Sequence, residues 1–153
     1  MKHIKPILFI LFILLFVASC SKKASEKTAL EKRTEIMSSS QTFVGTIPCA
    51  DCEGIKINLT LTYYLDRSQK YSEKIQYLGK SSEIFTYQSA WAQSGDIVTL
   101  LGSDGQPREK WQFIKGDAPN NLFTPLIKLD ENGKPIKSNL NYTLKMTALF
   151  QGL

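Results

Sequence analysis

Three hydropathy regimes follow one another along the 153-residue chain. Ile7 to Val17 is an unbroken apolar run behind a short basic lead, Met1-Lys2-His3-Ile4-Lys5. Ser21 to Gln41 is polar, rich in Ser, Lys and Glu, and free of aromatic residues. From Thr42 onward the pattern settles to a period of two. Ile55, Ile57, Leu59 and Leu61 alternate with Lys56, Asn58, Thr60 and Thr62, which predicts a strand with one buried and one wet face. Tyr71, Ile75 and Tyr77 predict the next strand, interrupted on its apolar face by Glu73. Ile84 to Trp91 follows, with Phe85, Tyr87 and Trp91 in register, and then Ile97 to Leu101. Asp104-Gly105 signals a hairpin, and the returning strand sets Trp111 and Phe113 against Arg108, Lys110 and Gln112. Leu122 to Leu129 leads into a second tight-turn signal at Asn132-Gly133. Leu140, Tyr142, Leu144 and Met146 alternate in the last strand.

Seven or eight short strands at roughly ten-residue spacing, with no convincing helix, predict an all-β fold, a small antiparallel barrel or sandwich. Closure is favoured because an open sheet leaves two unpaired edges. Alternation does not fix the strand order.

The apolar run is too short to span a bilayer comfortably, since spanning takes roughly 17–25 residues. A basic lead, an apolar core and the small residues Val17-Ala18-Ser19 read as a secretory signal. Cys20 directly after them resembles the lipobox of bacterial lipoproteins. That resemblance implies cleavage before Cys20 and a covalent lipid on its thiol. Residues 1–19 are then the signal peptide, 20–41 a lipidated flexible tether and 42–153 the folded domain. Ala29, Leu30, Arg33, Ile36 and Met37 form only a weak apolar stripe within the tether.

Charge and composition then remove several functions. Of 19 basic side chains, Lys2 and Lys5 leave with the signal, so 17 face 14 acidic ones. From Thr42 onward the balance is 12 against 11, and no basic face for nucleic acid is apparent. His3, the single histidine, also leaves. Without imidazole, a Ser-His-Asp triad, a Cys-His pair or a histidine-ligated zinc site is excluded, and an enzyme is not expected. The other carboxylates are scattered through turns and polar faces, which reads as solvated surface.

Two cysteines remain, in Pro48-Cys49-Ala50-Asp51-Cys52-Glu53-Gly54. Three readings are open. The pair is a structural disulfide in an oxidising compartment. It is a redox pair, although the following Gly54-Ile55-Lys56-Ile57 is strand rather than the helix such pairs use, and Asp51 and Glu53 oppose a thiolate. Or it is a soft-metal site, with two thiolates suited to Cu(I) and Met37 or Met146 as further donors. The aromatic residues Tyr63, Tyr64, Tyr71, Tyr77, Phe85, Tyr87, Trp91, Trp111 and Phe113 read as core filling, with a lined ligand cavity as the alternative.

The string Gly45-Thr46-Ile47-Pro48-Cys49-Ala50-Asp51-Cys52-Glu53-Gly54-Ile55 resembles the opening of the amino-terminal domain of the NlpE family. The likeness continues through the aromatic run to Trp91, Lys128-Leu129-Asp130-Glu131-Asn132-Gly133-Lys134-Pro135-Ile136, and Leu140-Asn141-Tyr142 with Leu144. It implies a lipocalin-like β-barrel on the outer membrane, facing the periplasm, acylated at Cys20. It implies roles in copper tolerance and envelope stress, through recognition of a sensor-kinase domain of a two-component system. Cys49 and Cys52 carry over as the motif cysteines, responsive to redox state or to copper. No cofactor beyond copper and the covalent lipid is implied. Ser21 in place of aspartate after the lipidated cysteine points to outer-membrane sorting. Longer relatives carry a second domain for which these 153 residues leave no room, so the resemblance does not carry over activities that need it. The alternative function is a periplasmic carrier whose barrel holds a small apolar ligand.

Overall fold

A computed structural model describes residues 36–114 and 124–152; the expected signal peptide, Cys20 and the tether through residue 35 lie outside them. The period-two segments form eight strands: β1 (Met37–Ile47), β2 (Gly54–Tyr64), β3 (Gln69–Leu78), β4 (Phe85–Ser94), β5 (Ile97–Leu101), β6 (Pro107–Phe113), β7 (Leu126–Lys128) and β8 (Thr143–Gln151). Each pairs antiparallel with its neighbours in sequence, and β1 pairs with β8 to close a barrel. The all-β expectation holds at its upper strand count. The order left open by alternation is the plain up-and-down one.

Alternation works as expected because one face of each strand fills the barrel. Phe43, Ile57, Leu59, Leu61, Val98, Leu100, Trp111, Leu126 and Leu144 point inward and are essentially inaccessible to water. Lys56, Asn58, Lys70, Lys74 and Lys145 point outward into solvent. The apolar surface removed from water is thus internal to Met37–Leu153, which forms a compact unit.

Boundaries differ from expectation where pairing partners override local composition. β1 begins at Met37, not at Thr42, because Ser39, Ser40 and Gln41 are held between Tyr63, Thr62 and Leu61 of β2 and Gln151, Phe150 and Leu149 of β8. Residues 37–41, assigned to the tether by their polarity, belong to the barrel. Leu140 is 60% exposed and outside β8, which starts at Thr143. The strand expected over 122–129 is only Leu126–Lys128, with residues 122 and 123 outside the described part.

Both turn signals hold. Gly105, at φ 77°, closes the β5–β6 turn and donates to the Gly102 carbonyl at 3.0 Å. Gly133, at φ 75°, donates to the Asp130 carbonyl at 3.0 Å within the turn bridged by Leu129 and Pro135.

Candidate functional site

The cysteine motif forms the whole connection between β1 and β2. Ile47 and Ile55 are the last register pair, and the chain then turns through Pro48–Glu53 at one end of the barrel. Cys49 and Cys52 are bonded to each other, with Cα atoms 5.3 Å apart. Two features fix the loop's base. The Glu53 N–H donates to the Leu78 carbonyl at 3.0 Å, tying the loop to the end of β3. Gly54 sits at φ 154°, where a Cβ would come within 2.7 Å of Thr46 Cγ2, so only glycine fits.

The loop's tip is open to solvent. Lys80, just beyond β3, donates to Asp51 Oδ2. That hydrogen bond, reinforced by the lysine charge, holds the Asp51 carboxyl below the usual carboxylate range. Asp51 Oδ1 lies 3.4 Å from Cys49 Sγ, and the Gly54 carbonyl lies 3.3 Å from Cys52 Sγ. With the disulfide formed neither sulfur has a proton to donate, so these are packing contacts. On reduction each thiol would have an acceptor at hand.

The same geometry gathers candidate metal ligands. Ligand atoms of Cys49, Asp51 and Cys52 lie within 4.8 Å of one another. Reduced, the loop offers two soft thiolates, which fit Cu(I), and one hard carboxylate already engaged by Lys80. Met37 and Met146 are not brought to the loop. Met37 opens β1 at its far end, and Met146 pairs with Phe43 and packs on the core. The loop also runs directly into β2, so no helix N-terminus is present to stabilise a thiolate.

The barrel interior bears on the carrier alternative. Tyr71, Trp91 and Trp111 are core residues, and Tyr63, Tyr77, Phe85 and Phe113 pack against them. Tyr63 and Trp91 meet edge-on at 4.8 Å. Tyr87 is instead 41% exposed, with the Arg108 guanidinium 4.1 Å above its ring. Clefts of about 480, 420 and 620 Å³ lie on the wall and are lined mainly by polar and charged residues such as Arg108, Lys70 and Gln88. The inward positions are filled by side chains.

One feature is missed by sequence reasoning. Glu73 is not a solvated carboxylate; it is 0% exposed on the inner face of β3. Arg108 donates to Glu73 Oε2, to Glu109 Oε1 at 2.9 Å and to the Tyr71 hydroxyl at 3.1 Å. Lys128 completes the row by donating to Glu109 Oε2 at 2.8 Å. Arg108, expected on the wet face, reaches inward beside a register irregularity between β5 and β6 at Leu100/Leu101. Burial, and then the neighbouring Glu109 charge, push the Glu73 carboxyl up despite Arg108. The interruption of the Tyr71–Ile75–Tyr77 face was the available signal; its partner 35 residues away was not legible.

Fold and loop together define a small closed antiparallel barrel with a disulfide-clipped connection between its first two strands. The NlpE N-terminal domain family matches residues 43–139, and the chain belongs to this family of lipoproteins. It is 33% identical over 129 residues to Lipoprotein NlpE of Escherichia coli K12, covering 82% of this chain and 49% of that protein. The chain thus spans about half the length of this curated relative. Among solved structures, a Shewanella oneidensis protein assigned as a lipoprotein is 32% identical, covering 69% of this chain and 85% of that one, with a TM-score of 0.46. The Cpx pathway activator NlpE of Escherichia coli is also 32% identical, covering 67% and 47%, with a TM-score of 0.45.

Proposed function

We propose that this protein is an outer-membrane lipoprotein acting in copper tolerance and envelope stress signalling, by recognition rather than catalysis. Family membership, with the motif cysteines on an exposed loop, is the observation that carries the reading. Cys20 bears the lipid, residues 21–36 are the tether, and the barrel faces the periplasm. The partner is a periplasmic sensor-kinase domain of an envelope stress two-component system.

The loop suits recognition on physical grounds. It is short, its tip is exposed and its base is tied to β3, so a change in the Cys49–Cys52 bond is expected to alter the loop without unfolding the barrel. Only the reduced pair supplies thiolates to copper. Deleting the gene is expected to lower copper tolerance, and overproduction to raise a stress reporter driven by the two-component system. A deletion strain with unchanged copper tolerance and unchanged reporter output would refute the reading.

The carrier reading has no specific observation in its favour, because the inward positions are occupied by side chains.

A further inference from the structure

The near-neutral charge of the folded part conceals a segregation that only the strand register shows. Four adjacent strands, β8, β1, β2 and β3, carry five charged side chains. Glu73 is the only carboxylate, and it is buried inside the barrel. Lys56, Lys70, Lys74 and Lys145 are the others, all exposed on the outer face.

Lys145, Val44, Asn58 and Lys74 form one cross-strand row, through the pairs Val44↔Lys145, Val44↔Asn58 and Asn58↔Lys74. At about 4.8 Å per strand, the two lysines stand roughly 14 Å apart across the face. Lys56 occupies the adjacent outward row, between Thr46 and Gln76. Lys70 stands two rows beyond Lys74, beside Thr62 and over the Tyr64 ring. None of the four makes an ion pair among the described residues. The remaining outward positions are mostly small and neutral: Ser40, Thr42, Thr60, Thr62, Ser72 and Thr147.

We infer that this outer face is an electrostatic docking surface for a bilayer bearing anionic phospholipids. The charge pattern selects that occupant. An acidic peptide calls for a fork of arginine donors; Lys70 lines the cleft of about 420 Å³ toward β4, but Lys56, Lys74 and Lys145 stand as dispersed ammonium point charges. Chain connectivity agrees: the segment between Cys20 and Met37 enters the barrel on β1, a strand within this face. These sixteen residues reach at most about 60 Å when stretched, so a lipid on Cys20 holds the barrel within that distance of the bilayer. The placement beside a membrane rests on the lipid-anchored reading proposed above, but the attraction itself does not.

The test uses the lipid-free chain from residue 21 and vesicles of phosphatidylethanolamine with graded phosphatidylglycerol. Cosedimentation is expected to rise with phosphatidylglycerol, to vanish on neutral phosphatidylcholine and to weaken with salt. Changing Lys56, Lys74 and Lys145 together to Gln is expected to weaken binding on the order of 100-fold, at about fivefold per lysine. A charge-matched control, Lys110, Lys134 and Lys137 to Gln, is expected to retain binding. Equal loss in both variants, or no dependence on phosphatidylglycerol, would overturn the inference. So would retention on polyglutamate without vesicle binding, which would point to an acidic protein instead. Failure here leaves acylation of Cys20 untouched, and failure of acylation leaves the vesicle result untouched.

Discussion

Arg108 leaves the outward phase of β6 and donates to the carboxylate of Glu73 inside the barrel. The pair closes the wall beside a cleft of about 620 Å³, where the first half of β4 lies opposite the β5–β6 turn. Among described residues Glu73 Oε1 has no hydrogen-bond partner, so the buried charge is only partly compensated.

Removing one partner should therefore hurt more than removing both. Arg108→Ala strands a buried carboxylate and should destabilise the barrel by about 3–5 kcal/mol. Glu73→Met with Arg108→Met should be nearly neutral or stabilising. Urea unfolding of the two variants decides the matter; equal losses in both would show that the pair is not the source of the penalty.

The same carboxyl sets a pH dependence. Its folded pKa is raised above the ordinary 4.5, so the folded state holds its proton more tightly than the unfolded chain. Its stabilising contribution is present below the ordinary value and is lost as pH rises through the raised one. Glu73→Gln should flatten this part of the stability profile. Asp51 runs the other way, its contribution being lost as pH falls, but it is fully exposed and screened. A Glu73→Gln profile parallel to that of the wild type would contradict the assignment.

The disulfide should be a modest staple. Loop-closure entropy for a four-residue loop amounts to about 2 kcal/mol at 25 °C. Reduction, or Cys49→Ser with Cys52→Ser, should lower unfolding stability by no more than that and leave the far-ultraviolet β signature intact. Loss of the β signature would instead make the clip a condition for folding.

Alternation exposed most of the barrel but not its closing contacts. Ile55 to Leu61 reads as a half-buried strand because its neighbours on both sides repeat the same inward face. Ser38 to Gln41 has no such pattern of its own, and its strand is imposed by Tyr63 and Thr62 on one flank and by Leu149 to Gln151 on the other. The cysteine loop is local, so its spacing showed it directly. Glu73 with Arg108, and the lysine face, depend on pairings tens of residues apart, which composition averages away.

Gly45 provides a further check on strand closure. A Cβ there would lie 2.7 Å from the Thr143 carbonyl oxygen and 2.8 Å from Leu144 Cδ2. Gly45→Val should destabilise by about 1–3 kcal/mol through overpacking at the β1–β8 seam. An unchanged melting temperature would show that β8 does not crowd β1 at this point.

The signalling role proposed for the loop is tested most directly in cells, using a deletion strain that expresses either the wild-type protein or the Cys49→Ser, Cys52→Ser double variant at equal abundance. Copper tolerance and stress-reporter output are measured together. The double variant should alter at least one of them while remaining folded and membrane-associated. Wild-type values for both would contradict it and leave the Cys49–Cys52 bond a structural clip.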